Sequence, residues 1–294
     1  MAYRLQPRKP VDRELRRLAG DEVAVALDRL DKARPAGKDV HEARKSLKKV
    51  RAIRRLVKAD HGSGFGASSK RLSAVNQTLS QLRDADAMLG ALDALKHADP
   101  DLFPATAFAQ LRQHLASVKR AMRHDARHDG SWAHMTRDLK RVRRDVHRWQ
   151  PEHRRFGVLA AGIRDSLERG RKAMSCARRT GEPGDFHEWR KALKALWYQL
   201  RLVERCGPAI ARDVAALHRA ESRLGDDHDL AVLAALLSTN TATRELIDLD
   251  RLRQSAGRQH RKLRQAAITG TRRLFARRPD SYVRTLKRLW EAAR

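Results

Sequence analysis

The chain has 294 residues, 41% of them hydrophobic, which is enough apolar material for a substantial core and argues against a disordered protein. Its 64 lysines and arginines outnumber 35 aspartates and glutamates, and the formal net charge of +29 favours a polyanionic partner: nucleic acid, an anionic membrane surface or a polymer of phosphate. Cys176 and Cys206 are too few for a disulfide framework, and the N-terminus lacks the apolar core of a signal peptide, so we expect a soluble cytoplasmic protein.

Helical periodicity, interrupted by glycine and proline, runs along the whole chain. In the first half it predicts helices at about 11–33, from 39 to about 60, through 79–96, at 108–123 and at 132–149. In the second half it predicts helices at about 155–178, 185–205, 209–237 and 243–275. No segment shows the alternation or the Val, Ile and Thr enrichment of strands, so the predicted fold class is all-α.

One stretch occurs twice, as DVHEARKSLKKVRAIRRLV from position 39 and as DFHEWRKALKALWYQLRLV from position 185. Each copy opens with an aspartate followed three residues later by a glutamate, which predicts a reciprocal cap at the start of a helix. The predicted capping residues are Asp39, Glu42, Asp185 and Glu188. A histidine then falls in the first turn of each helix, His41 in one and His187 in the other, and the step from 41 to 187 is 146 residues.

Both helices carry an apolar stripe, which predicts the face turned to the core. Its members are Val40, Ala43, Leu47, Val50 and Val57, with Phe186, Trp189, Leu193, Leu196, Leu200 and Val203. Beside it runs a cationic stripe, made of His41, Arg44, Lys45, Lys48, Arg51 and Arg55, with His187, Arg190, Lys191, Lys194, Tyr198 and Arg201.

A cationic stripe alone is more often a solvated helix face than a binding site, but a solvated face usually mixes charges of both signs. The first helix has no carboxylate between Glu42 and Asp60. Its like-charge neighbours amount to self-repulsion on the order of 2 kcal/mol, which a bound anion would relieve.

A second motif also occurs twice, as LSQLRDADAML from position 79 and as LGDDHDLAVLAALL from position 224, and the step from Asp84 to Asp229 is 145 residues. Together with H-E-x-R-K-x-L-K in both halves, this motif resembles the CHAD family, named for its histidine-bearing α-helical domain. The resemblance covers nearly the whole chain. Two motifs, each in duplicate and at one shared spacing, make the match specific.

An internal repeat of four main helices predicts two four-helix bundles related by an approximate two-fold axis. The halves would be residues 1–150 and 151–294 of a single domain, and the family resemblance implies the same architecture. If the two His-bearing helices face each other, their cationic stripes line a common groove.

CHAD proteins are associated with inorganic polyphosphate, so the resemblance implies that the twelve residues of the cationic stripe bind this polymer, with no cofactor. Arginine grips phosphate oxygens in a bidentate manner and lysine supplies an adaptable point charge. His41 and His187 are predicted to lie where the helix N-terminus favours an anion. A phosphate bound there favours the imidazolium form of the histidine, so binding should strengthen as the pH falls. The resemblance also suggests association with polyphosphate granules in a bacterial cytoplasm.

The charged groups of the second motif have two interpretations. Arg83 with Asp84 and Asp86, and His228 with Asp227 and Asp229, resemble metal or acid–base clusters, but intramolecular salt bridges are the preferred interpretation. Asp84 and Asp229 in particular are expected to orient basic groups on the neighbouring His-bearing helix.

Two aromatic residues distinguish the second copy of the His-bearing helix from the first. Trp197 is expected in the core. For Tyr198, a hydroxyl donated to phosphate and a simple packing role remain open.

Three rival functions remain at this stage. Nucleic-acid binding through phosphates is the main alternative, although an aromatic content of 5% leaves few platforms for base stacking. Divalent-metal binding by the histidines is disfavoured because neither histidine has an obvious co-ligand on its helix and both have cationic neighbours. An enzyme is disfavoured because the sequence has no P-loop, nucleophile elbow or paired carboxylates, so we expect a binding module.

Overall fold

The computed structural model describes residues 3–32, 35–57, 65–128, 130–149, 156–239 and 247–294, with the side chains at 65–67, 81–86, 119 and 122–128 outside this description. The α-helices are α1 Val11–Leu30, α2 Gly37–Leu56, α3 Phe65–Ala98, α4 Ala105–His128, α5 Ser131–Arg148, α6 Gly157–Thr180, α7 Pro183–Arg201, α8 Pro208–Thr239, α9 Leu249–Ala276 and α10 Pro279–Ala292. A short 3-10 helix, Glu204–Cys206, follows α7. The described residues contain no strand, which confirms the predicted all-α class.

The order of helices is the same in the two halves of the sequence. Within the described residues, each half of the sequence carries four longer helices followed by a fifth, α5 in the first half and α10 in the second. Helix α10 was not predicted, although Pro279 at its first position and Asp280 in its first turn are typical of a helix start. The predicted break between α6 and α7 is present, with Gly181 in the left-handed region at φ 72°.

The apolar stripes of α2 and α7 are buried in the core, as their spacing predicts. A large hydrophobic cluster joins α1, α2, α5, α6, α7 and α10 to the N-terminal parts of α3 and α8 and the C-terminal part of α9. A smaller cluster joins the C-terminal parts of α3 and α8 to α4 and the N-terminal part of α9. Both clusters therefore draw residues from both halves of the sequence.

Helices α3 and α8, with 34 and 32 residues, pass through both clusters. On α8, the large cluster ends at Leu224 and the small cluster begins at Leu230. Helix α2 packs against α7, and α3 packs against α8. One contact between α2 and α7 is polar, because the buried Gln199 donates its amide N–H to the carbonyl oxygen of Ala52 at 3.3 Å. The two His-bearing helices are thus neighbours, which meets the condition for a shared groove.

Candidate functional site

A cavity of about 380 Å³ lies between α2, α3, α7 and α8. Its lining residues are Arg44, Lys48, Arg51, Ala52, Arg55, Asn76, Ser80, His187, Arg190, Lys191, Lys194, Ala195, Tyr198, His228 and Asp229. Among the side chains that the structure describes here, seven are lysine or arginine and one is a carboxylate. The cavity is therefore strongly cationic.

The structure brings nine of the twelve predicted stripe residues into this cavity, together with Asp229. The other three, His41, Lys45 and Arg201, do not line it. His41 is exposed, and Lys45 pairs with Glu42 on its own helix at 3.4 Å. The guanidinium of Arg201 lies over aromatic rings instead.

The predicted capping positions, Asp39 and Asp185, are wrong, because each helix begins about one turn earlier in the sequence. Helix α2 begins at Gly37, so Asp39 is its third residue and accepts a hydrogen bond from the Ala36 N–H at 3.0 Å. Helix α7 begins at Pro183, which likewise makes Asp185 its third residue. Each histidine is consequently the fifth residue of its helix, beyond the four free N–H groups, so the helix N-terminus does not supply the expected anion-binding field.

Arg44 is held in place by α3. Its Nη1 donates to the carbonyl oxygen of Asn76 at 3.3 Å and to the hydroxyl oxygen of Ser80 at 2.5 Å. Only 6% of the Arg44 surface is exposed, so these contacts fix its guanidinium at the cavity wall. The sequence analysis gave no role to Asn76 or to Ser80, which is the second residue of the second motif and follows Asn76 by one helical step of four.

Glu221 is the other residue that the sequence analysis missed, and it anchors two cations of α7. It pairs with Lys194, and its Oε1 accepts a hydrogen bond from the Arg190 Nε at 3.3 Å. Burial alone would raise the pKa of Glu221, but the charge and hydrogen bond of Lys194, then Arg190 and Lys48, lower it overall. Gly225 leaves room for this arrangement, since a Cβ there would lie 3.1 Å from Arg190 Nη2.

Arg51 and Arg55 bring positive charge to the cavity from the C-terminal part of α2. Neither makes an ion pair with a residue in the described ranges. Burial lowers the pKa of Arg51, and for Arg55 burial and then the positive charges of Arg169 and Arg51 lower the pKa. An anion beside these two guanidinium groups would relieve an unfavourable arrangement.

His187 faces the cavity as a neutral imidazole. Its ring centroid lies 4.1 Å from that of His228, and its Nδ1 is buried with no hydrogen-bond partner among the described residues. Burial, followed by His228, Lys191 and Arg190, lowers the pKa of His187 to about 4, against a small opposing effect of Glu188. His187 is therefore uncharged near neutral pH in the unliganded protein.

The second motif contributes salt bridges, as interpreted from the sequence. The buried Asp227 pairs with His260 at 2.7 Å and with Arg264 at 2.8 Å, which joins α8 to α9. Asp229 lines the cavity, and its predicted role in orienting basic groups stays a prediction. The side chains of Arg83 and Asp84 lie outside the described residues.

The two aromatic residues of α7 differ in position. Tyr198 lines the cavity and is only 3% exposed, so it packs in the core, and donation of its hydroxyl to phosphate stays a prediction. Trp197 is partly buried against the large cluster, as expected, and stacks on His218 with ring centroids 4.5 Å apart.

The described residues contain no group of three or more histidine, cysteine, aspartate or glutamate residues arranged to hold a metal ion. They also contain no helix that is both long enough and apolar enough to cross a bilayer.

Fold and site together define an all-helical protein with a cationic cavity between two His-bearing helices that repeat in the sequence. The sequence model of the CHAD domain matches residues 11–238, so the chain belongs to the CHAD family. The crystal structure of the CHAD domain from the plant Ricinus communis is similar in fold, with a TM-score of 0.62 and 17% sequence identity. That similarity covers 100% of this chain and 96% of the plant domain. No curated protein matches the sequence.

Proposed function

We propose that the chain binds inorganic polyphosphate in the cavity between α2 and α7. The observation that supports this most strongly is the lining itself, in which lysine and arginine side chains from two neighbouring helices line one shared cavity. Each internal unit of polyphosphate carries about one negative charge and no base. A row of cations without base-reading groups suits such a uniform chain.

The resemblance to CHAD proteins, which are associated with polyphosphate, supports the same ligand. Nucleic acid also presents phosphates, but single strands are held largely by bases stacked on aromatic side chains. Among the described side chains that line the cavity, Tyr198 carries the ring suited to stacking on a base, and this ring is almost completely buried. The cavity therefore favours a phosphate polymer over nucleic acid.

A competition titration tests this proposal. Long-chain polyphosphate bound to the protein would be displaced with single- and double-stranded DNA of matched total charge, at fixed near-physiological salt. We expect polyphosphate to bind at least tenfold more tightly, and its affinity to fall with salt at a log–log slope of roughly −0.7 per phosphate contacted. Equal competition by DNA, or a flat salt response, would contradict the proposal.

The proposed role is that of a binding module in the cytoplasm, at polyphosphate granules, and not that of an enzyme. The same titration mixtures, separated on a gel, check this role because an enzyme would change the length of the polymer. An unchanged length distribution after prolonged incubation is the expected result.

The pH dependence of binding should come mainly from His187. Phosphate beside its ring stabilises the imidazolium, so binding raises the pKa of His187 from about 4 and takes up a proton. Affinity should therefore rise as the pH falls toward 5, by about tenfold between pH 7.5 and 5.5 if the bound pKa returns to about 6.5. The free energy of unfolding of the unliganded protein should instead decrease as the pH falls below 6.5. In that range the imidazole at position 187 binds a proton more readily in the unfolded chain than in the folded protein.

The control for this prediction is the repeat-related histidine, His41, which is exposed and outside the cavity. His187→Gln should flatten the pH dependence of polyphosphate affinity, and His41→Gln should leave it close to that of the wild type. Equal effects of the two substitutions would show that the pH response belongs to the whole charge of the protein.

A further inference from the structure

The three predicted stripe residues that the cavity excludes all have counterparts that line it. In the two His-bearing helices, equivalent residues are 146 positions apart, as 41 and 187 are. The counterparts of His41, Lys45 and Arg201 are His187, Lys191 and Arg55. At these three pairs of positions only one copy of the repeat contributes to the cavity, although the sequence provides a cation or histidine in both.

Tyr3, in the N-terminal segment, packs against α2 and α7 beside Arg201. The Tyr3 hydroxyl donates to the carbonyl oxygen of Lys49 at 3.2 Å, and the ring meets Tyr198 edge-on, with centroids 6.2 Å apart. The Arg201 guanidinium lies 5.6 Å from the centre of the Tyr3 ring. Tyr3 is only 4% exposed, so its ring fills this space.

The neighbours of Tyr3 identify the space that it fills. It contacts Lys49, Tyr198 and Arg201, and their counterparts in the other copy are Ala195, Ala52 and Arg55. All three counterparts line the cavity. Tyr3 therefore occupies in one copy of the repeat the position that is open in the other.

The two equivalent arginines have different surroundings as a result. Arg201 is enclosed by three rings, at 5.6 Å from Tyr3, 5.2 Å from Trp197 and 5.8 Å from Tyr198. These cation–π contacts hold its guanidinium away from the cavity. Arg55 lines the cavity and makes no ion pair within the described part of the chain.

We propose that Tyr3 closes one end of the phosphate site, so that a phosphate chain enters beside Arg55 and stops at Tyr3. This inference rests on the proposed function. The N-terminal segment is fixed to the turn after α7, since the Leu5 N–H donates to the Leu202 carbonyl at 2.8 Å and Arg4 pairs with Glu204 at 3.1 Å. The cavity, and not the length of the polymer, then sets how many phosphates are bound.

Substituting each of the two equivalent arginines, Arg55 and Arg201, provides a first test that leaves Tyr3 intact. Arg55→Gln should weaken binding of long-chain polyphosphate by tenfold or more, whereas Arg201→Gln should change it by less than twofold. Isothermal titration calorimetry measures both. Comparable losses from the two substitutions would overturn the inference, because they would place Arg201 at the ligand.

Removing the Tyr3 ring provides a second test of the same inference. Tyr3→Ala should leave the affinity for tripolyphosphate within twofold but raise the affinity for long-chain polyphosphate about three- to tenfold and steepen its salt dependence. Tyr3→Phe keeps the ring and should behave as the wild type. Adding Arg201→Gln to Tyr3→Ala should remove the gain, since Arg201 is the cation that the substitution releases.

The outcomes separate this inference from the proposed function. A wild-type protein that fails to bind polyphosphate overturns the proposed function. A wild-type protein that binds polyphosphate, with Tyr3→Ala folded by circular dichroism and unchanged toward long chains, overturns only the role of Tyr3. If Tyr3→Ala does not fold, the comparison of Arg55→Gln with Arg201→Gln decides the question alone.

Discussion

Replacing Lys48 and Lys194 together by glutamate should lower the affinity for polyphosphate by at least 100-fold. The two lysines are equivalent members of the repeat and both line the cavity. A hydrogen bond to a charged group contributes roughly 1.5–3 kcal/mol, so the loss of two such bonds is enough for a change of this size. The measurement is a titration at fixed salt, with circular dichroism to verify helicity.

Two further variants make this result specific. Lys48→Gln with Lys194→Gln adds no negative charge beside Glu221 and should still cost tenfold or more. Lys140→Glu with Lys172→Glu makes the same change in net charge at two exposed positions on α5 and α6 and should cost less than threefold. If this exposed pair weakens binding as much as the cavity pair, the affinity arises from the overall charge and the site lies elsewhere.

Gly162→Ala should produce a large loss of stability. Helix α6 crosses the end of α2 at this glycine so closely that a Cβ would lie 2.0 Å from the Leu56 carbonyl oxygen. Overpacking costs about 1–3 kcal/mol in general, and because the obstacle here is backbone, which no side-chain rotation relieves, we expect a cost of about 3 kcal/mol. The higher helix propensity of alanine offsets about 1 kcal/mol, which leaves a net loss of about 2 kcal/mol.

Urea unfolding measures this loss, and Gly157→Ala on the same helix is the matched control. Nothing lies within 4 Å of a Cβ at position 157, so this substitution should leave the free energy of unfolding unchanged or slightly higher. A stable Gly162→Ala variant would mean that α6 and α2 can separate without cost. That separation would also move the end of α2 that carries Arg55.

The parts of the structure that were predicted from sequence depend on periodicity. Val50 and Leu193 are fully buried because they lie on the apolar face of their helices, and the cationic residues beside them follow the same helical spacing. Once the repeat makes the two helices equivalent, a shared cavity requires only that they pack together. The all-α class and most of the cavity lining could therefore be predicted.

Helix ends were predicted less well because several residues compete for the capping position. Asp39 and Glu42 fit a capping box, but Gly37 and Lys38 also adopt helical conformation, and the Asp39 carboxylate is bound by Lys32 at 2.7 Å and by Arg29 at 3.3 Å. These partners lie outside the motif, so the motif alone does not reveal them.

The remaining errors concern contacts between distant parts of the chain. Glu221 looks like an ordinary surface residue of an amphipathic helix, and only the packing of α8 on α7 brings it to Arg190 and Lys194. In the same way, the sequence repeat predicts equivalent surroundings for His41 and His187. The structure distinguishes them, because His187 lies against His228 of α8 and His41 is exposed, and no pattern within the two helices specifies this difference.

The arrangement of the two hydrophobic clusters has a consequence for the synthesis of the chain. Each cluster is closed by side chains from both halves, as when Leu92 and Leu111 share the smaller cluster with Leu233 and Leu252. A nascent chain that has left the ribosome as far as α5 carries only part of each cluster, with its apolar faces still open to water. Folding therefore cannot be completed at the midpoint of translation. The hydrophobic clusters become complete only when the last helices have emerged and packed against the first ones.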